Sequence, residues 1–289
     1  MKKNEIDTNI YREVTDIEEL QSLLYFLFGR LHKICEEHGI TYNMYGGTML
    51  GAVRHSGIIP WDDDVDISMP REDYERFIEL IRTHYGDKYK IYVYPDKNYI
   101  YPFAKFCLRD SILLENYREE YSELALYIDI FPMDGCPADE KEAEKTFSEL
   151  KRLKHKRAVC VYKLKPRANF SGKIKNLCLG VRSGLYRLVG YEKYLKKEVK
   201  ISKLCKFAES DRVCCMAASW FEKGIVKKSE YLDRRLYKFG DSEFWGMKDY
   251  DSNLRNLYGD YMCPPPESQR VSNHDYKLFV KKNLNREDL

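Results

Sequence analysis

The chain has 289 residues, of which 44% are hydrophobic and 14% aromatic, with 49 Lys/Arg against 46 Asp/Glu. This length suffices for one large core or two modest domains, and the composition excludes a disordered or collagen-like chain. The net charge of +3 conceals a division: residues 151–206 hold 18 basic residues and only two acids, Glu192 and Glu198, while the remainder holds 31 basic and 44 acidic residues.

An acidic body with a basic block points to two kinds of partner. No apolar run approaches the roughly 20 residues of a membrane span; the best, Leu23–Phe28, meets Gly29, Arg30 and His32. Met1–Tyr11 is polar, so no signal peptide is expected. The nine Cys are scattered without a CxxC pair. That usage predicts buried or free thiols in a reducing cytoplasm, not a zinc or disulfide framework.

The first expected element is an amphipathic helix over residues 15–38. Thr15 with Glu18 makes a capping box, Leu20, Leu23, Leu24, Leu27, Leu31 and Ile34 recur at three and four, and Gly39 stops it. Ile40–Tyr45 reads as a strand ending in the turn Gly46-Gly47, and Thr48–Arg54 as one or two helical turns. A loop over His55–Trp61 leads to a strand at Val65–Ser68 and a helix from Pro70 to Tyr85. Short strands are expected at Lys90–Tyr94, Phe103–Leu108, Ile112–Glu115 and Leu126–Phe131. Helices follow at Asp139–Lys165 and Glu192–Ser210, joined by a basic stretch. Strands return at Leu236–Phe239 and Glu243–Gly246, then a helix at Tyr250–Tyr258, and Pro264–Pro266 ends regular structure. The order is α/β with much antiparallel character, an α+β arrangement without regular βαβ alternation. It divides into a core over 1–137, a basic helical segment over 138–228 and a C-terminal return over 229–289.

The chemistry concentrates in GGTMLGAVRHSGIIPWDDDVDI, Gly46 to Ile67. Four of its last six residues are carboxylates. In an extended chain Asp62, Asp64 and Asp66 share one face and Asp63 takes the other. Adjacent carboxylates repel unless a cation or base is present, and oxygen-only ligands suit Mg2+ or Mn2+. Asp129 stands alone in the apolar strand Tyr127–Phe131, where an acid is expensive to bury unless paired or metal-bound. Gly46-Gly47 before Thr48 and a short helix fits phosphate binding by backbone N–H groups. Arg54 and His55 can touch phosphate oxygens or be ordinary loop residues, Arg54 having the better-matched fork. Trp61 can stack on a base or ring, or pack.

These residues resemble the LicD family of phosphotransferases. The family pattern GGT-x-LGA-x-RH-x-G followed by IPWDDD-x-DI stands at Gly46–Ile67. An apolar-Asp-apolar strand running into FPxDG stands at Ile128–Gly135, and YGDYM with prolines and an Arg stands at Tyr258–Arg270. The resemblance implies a nucleotidyltransferase-type mixed sheet core flanked by helices. It implies Asp64 and Asp66 as paired metal ligands, Asp129 as the third carboxylate and Gly46-Gly47 as the turn, with Asp62 alongside. One departure is the long gap between the glycines and the acids, filled by RHSGIIPW.

The family's bacterial members move phosphocholine from CDP-choline onto cell-surface glycans such as teichoic acid or lipopolysaccharide. Its animal relatives, the fukutin group, move ribitol phosphate from CDP-ribitol. The implied reaction is Mg2+- or Mn2+-dependent transfer of a phospho-alcohol from a CDP-linked donor to a sugar hydroxyl of a glycan or glycolipid, releasing CMP. Gly46, Gly47, Thr48, Arg54 and Lys105 would hold phosphate oxygens. A choline head offers no hydrogen-bond donor and calls for an aromatic cage; Tyr258 and Tyr261, in the third motif, are the candidates. The basic block at 151–206 would dock on an anionic membrane from the cytoplasmic side. Two other classes stay open. One is a template-independent nucleotidyltransferase acting on RNA or a small molecule, although no aromatic–basic nucleic-acid motif is present and no nucleic-acid partner is expected. The other is a non-catalytic membrane-surface adaptor.

Overall fold

The computed structural model describes residues 6–115, 124–161, 184–272 and 276–284. Helix α1 (Ile17–His38) opens the core. Its N-cap is Asp16, whose carboxylate accepts the Glu19 N–H at 3.0 Å, so the cap lies one residue beyond the expected Thr15. Gly39 closes it in the left-handed conformation, as expected. Its apolar stripe from Leu20 to Cys35 is buried against the central sheet.

The central sheet runs in the order β2–β3–β7–β5–β4. These strands are β2 (Asn43–Met44), β3 (Asp66–Pro70), β4 (Tyr89–Tyr92), β5 (Ala104–Leu108) and β7 (Tyr127–Gly135). Only β3 and β7 pair in parallel; β2–β3, β7–β5 and β5–β4 are antiparallel. Helices α2 (Gly46–His55) and α3 (Arg71–His84) flank β3 in sequence. The architecture is the mixed α+β type that the sequence predicts.

Several boundaries differ from expectation for identifiable reasons. Strand β2 is shorter than Ile40–Tyr45 because the Thr41 N–H goes to the Asp73 carboxylate at 3.1 Å instead of a ladder partner. Gly46-Gly47 is not a turn ahead of a helix; it is the first two residues of α2. At Gly46 φ is +54°, a conformation that favours glycine.

Beyond β7, α4 (Glu140–Val161) and α5 (Tyr191–Ser202) form a pair. Arg157 on α4 and Glu198 on α5 are both buried and make a bidentate ion pair at 2.8 and 3.0 Å. The third Arg157 bond, at 2.8 Å, goes to the Ile100 carbonyl and ties the helices to the core. The end of the expected Asp139–Lys165 helix lies outside the described residues, as does much of the basic linker. The second helix stops at Ser202, not Ser210, because the chain is drawn across the end of β7, where the Gly135 N–H bonds the Cys205 carbonyl at 3.1 Å. Strand β8 (Arg212–Cys214) then pairs with β7 and with β9 (Val226–Lys227). Helix α6 (Lys228–Leu232) leads into the hairpin β10 (Arg234–Phe239) and β11 (Ser242–Met247), followed by α7 (Asp251–Tyr258).

Regular structure does not end at the prolines. Strand β12 (Tyr276–Lys281) lies between β1 (Tyr11–Val14) and β6 (Ser111–Glu115) in an antiparallel sheet. All cysteines among the described residues are free thiols, and most are buried.

Candidate functional site

The site forms where the parallel pair β3–β7 meets α2. Parallel register places Asp66 opposite Asp129, so two motifs far apart in sequence deliver carboxylates side by side. Lys105 on β5 lies opposite Asp129 from the other side. Its ammonium is 2.5 Å from Asp129 Oδ1 and almost wholly buried. The rings of Tyr127, Tyr101 and Phe103 surround that ammonium, with centroids at 3.2, 4.7 and 5.4 Å. Removing one partner of such a buried pair typically costs about 3–5 kcal/mol.

The acidic run is not extended before β3. Asp62, Asp63 and Asp64 each bring a carboxylate oxygen within 4.8 Å of the others, because the chain is still leaving a turn closed by the Asp62 N–H on the Ile59 carbonyl. Strict alternation of faces therefore does not apply at 62–64. Asp63 is buried and committed to structure: its Oδ2 accepts the Ser272 hydroxyl at 2.5 Å, and its carbonyl accepts the Tyr276 hydroxyl at 3.0 Å. Asp66 is the electrostatic focus. Burial raises its proton affinity first, then Asp64, Asp129 and Asp62 raise it further, and Lys105 offsets part of this. A half-buried carboxylate facing three others is a donor set that a hard divalent cation fits.

Helix α2 closes the site from above. The Thr48 hydroxyl accepts the Asp66 N–H at 2.8 Å, and the Tyr45 N–H bonds the Asp66 carbonyl at 3.0 Å. A Cβ on Gly47 would lie 3.1 Å from Asp62 Oδ2, and one on Gly46 would lie 3.4 Å from the Tyr258 hydroxyl and 3.7 Å from Asp66 Oδ2. The glycines thus leave space directly against the acids. Tyr258 faces the same acids: burial pushes its phenol up, and Asp66, Asp62 and Asp64 push it further.

The other expected residues fall on the rim. Arg54 donates to the Tyr261 carbonyl at 2.6 Å and to His55 Nδ1 at 3.4 Å. Burial and then Arg270 lower the Arg54 pKa, and burial and then Arg54 lower that of His55. His55 packs edge-on to Trp61 at 5.9 Å, and Arg270 lies 5.4 Å over the Trp61 ring. The first and third motifs are therefore in contact. Tyr261 is buried, and its hydroxyl donates to Asp251 at 2.7 Å, on the α7 side.

Four contributors lie outside the expected site residues. Gln21 on α1 donates to the carbonyls of Ile59, Pro60 and Asp62 at 3.0, 3.3 and 2.8 Å, holding the acidic loop to the helix. Ser272 and Tyr276 hold Asp63 from the C-terminal side. Trp220 packs edge-on against Tyr258 at 5.2 Å, which puts a second aromatic ring beside the one that faces the acids. A polar residue at 21 amid the buried leucines of α1 is the one hint a sequence reader has.

A protein-family model described as "LicD/FKTN/FKRP, nucleotidyltransferase domain" matches residues 39–168. The chain is 27% identical to the lipopolysaccharide cholinephosphotransferase LicD of Haemophilus influenzae over 271 residues, which cover 91% of this chain and 98% of that protein. It is 31% identical to the human ribitol 5-phosphate transferase FKRP over 100 residues, 34% of this chain and 18% of that one. An uncharacterized protein of Rickettsia typhi is 44% identical over 66 residues, 22% of this chain and 21% of its own. Residues 39–168 thus match the nucleotidyltransferase domain of the LicD family, and the chain is similar to a LicD protein over nearly its whole length.

Proposed function

We propose that this protein transfers a phospho-alcohol group, phosphocholine foremost, from a CDP-linked donor to a sugar hydroxyl of a cell-surface glycan or its lipid-linked precursor. The observation that carries the reading is the opposition of Asp66 and Asp129 in the β3–β7 register, with Asp64 and Asp62 alongside and the glycines of α2 facing them. Near full-length similarity to a cholinephosphotransferase supports the choice of group.

Asp64, Asp66 and Asp129, with Asp62 at the rim, would hold one or two Mg2+ or Mn2+ ions, which when bound neutralise charge on the donor diphosphate. The start of α2 would receive phosphate oxygens on the backbone N–H groups of Gly46 and Gly47 and on the Thr48 hydroxyl, the Thr48 N–H being bonded to the Tyr45 carbonyl at 3.1 Å. Arg54 adds its guanidinium from the other end of the helix. Asp129, held in place by Lys105, accepts the proton of the attacking sugar hydroxyl. The hydroxyl oxygen bonds to the distal phosphorus, the bond from that phosphorus to the CMP oxygen breaks, and CMP leaves with the electron pair. Lys105 serves as the partner that orients Asp129. The faces of Tyr258 and Trp220 suit a quaternary ammonium, which is bound by aromatic surface and not by hydrogen bonds.

A donor panel tests this. CDP-choline, CDP-ribitol and CDP-glycerol are each supplied with Mg2+ and glycolipid acceptor, and CMP release is measured. CMP release that requires acceptor, and is fastest from CDP-choline, is expected. Preference for another CDP-alcohol overturns the phosphocholine choice alone. Pyrophosphate release from CTP, with no CMP from any CDP-alcohol, overturns the reaction class.

A further inference from the structure

The exposed face of the α4–α5 pair has a composition that the proposed chemistry does not use. On α5, Lys193, Lys196, Lys197 and Lys200 are all exposed. Their spacing of three, four and seven puts them on one face of the helix. Tyr194, Leu195, Glu198 and Ser202 occupy the buried face. Glu198 is spent internally on Arg157, so it does not balance the lysines outside. None of the four lysines makes an ion pair among the described residues. Other lysines nearby do: Lys151 pairs with Glu222 and Lys203 with Glu75.

Apolar side chains flank this stripe. Leu185, Leu188 and Val189, in the helical residues 184–189 just before α5, are 59%, 85% and 40% exposed. Leu204, just after α5, is 66% exposed. Single exposed leucines are ordinary, but several in the residues bordering a lysine-faced helix match the composition of a surface that lies on a bilayer. No helix among the described residues is long and apolar enough to cross one.

We infer that the face formed by residues 185–204 docks on an anionic membrane, with Lys193, Lys196, Lys197 and Lys200 meeting lipid phosphates and Leu185, Leu188 and Leu204 entering the acyl boundary. A polyanion in water such as RNA would satisfy the lysines but give the leucines nothing. Only a lipid surface answers both. Each lysine near an anionic surface strengthens binding about fivefold, so four together give several hundredfold. The inference goes beyond the proposed reaction and does not depend on it. A membrane-bound enzyme would simply meet a lipid-linked acceptor where that acceptor is.

The test uses the full chain and sedimentation with vesicles of phosphatidylcholine, with and without phosphatidylglycerol, at low and high salt. Binding only to the phosphatidylglycerol vesicles, weakened by salt, is expected. The K193S/K196S/K197S/K200S variant should lose at least about a hundredfold in affinity. The L185S/L188S variant should lose affinity too, while keeping the salt dependence of the parent. Both should keep the parent's thermal midpoint and its CMP release with a soluble acceptor. Equal binding to neutral vesicles overturns the inference. So does unchanged vesicle binding by the leucine variant, which marks a polyanion site instead. If CMP release fails in the parent while vesicle binding holds, the reaction falls and the docking face stands.

Discussion

Asp66 concentrates the conflict in this molecule. Its carboxylate sits with three others and one compensating lysine, and its proton affinity is raised accordingly. A site of this kind stores repulsion until a cation arrives. The Asp64→Asn and Asp66→Asn variants should therefore each lower metal-dependent transfer by roughly 100- to 1,000-fold or more. Asp66→Asn should also raise the thermal midpoint of the metal-free protein, because one repelling charge is gone, and should lose most of the midpoint gain that Mg2+ gives the parent. Calorimetry with and without Mg2+ measures both. Near-parental turnover in either variant would remove the metal assignment.

At the scale of elements, the site depends on how α1, α2 and the C-terminal motif hold one loop. Gln21 spans that loop with three bonds. Gln21→Ala should leave helix content unchanged and lower turnover about 10- to 100-fold, since a displacement of about 1 Å at reacting groups has that effect. Steady-state kinetics with circular dichroism as the control checks it; unchanged turnover would show that the loop is held elsewhere. This is also where the sequence was most and least informative. α1 and α3 were legible because a helical stripe repeats locally and its caps are local. Asp66 and Asp129 were legible because charge in an apolar strand is costly wherever the strand lies. Gln21, Trp220 and Ser272 were not, because each acts through a partner at least 38 residues away in the chain. The alternation of Asp62 to Asp64 failed because it assumed extended backbone in a segment that is leaving a turn. Strand β12 was missed because the three prolines before it read as a final stop, whereas its pairing partners, β1 and β6, lie more than 150 residues earlier in the chain.

For the whole molecule, His32 reports on how the layers are joined. It projects from α1 to Tyr42, with Nδ1 2.7 Å from the phenolic oxygen, and that oxygen also accepts the Trp245 N–H at 3.5 Å from β11. Burial lowers the His32 pKa below its ordinary 6.5, with Glu36 acting in the opposite sense. The folded protein therefore resists a proton that the unfolded chain accepts. This contribution to stability is intact above about pH 6.5 and is lost as pH falls toward the folded value. Urea midpoints of the parent should decline across that window, and His32→Gln should flatten the decline. A slope unchanged by the substitution would assign it to other groups.

The three-stranded sheet β1–β12–β6 sets a clock on synthesis. Asp62 to Asp66 emerge in translation more than 200 residues before Ser272 and Tyr276, the partners of Asp63. The about 215 residues between Asp66 and Lys281 take roughly 10–40 s to make at about 5–20 residues per second. Over that interval the nascent chain carries a cluster of mutually repelling acids without its closing strand. The acidic loop therefore reaches its final arrangement only after β12 has been made, and a chain that stops short of β12 lacks the two contacts that hold Asp63.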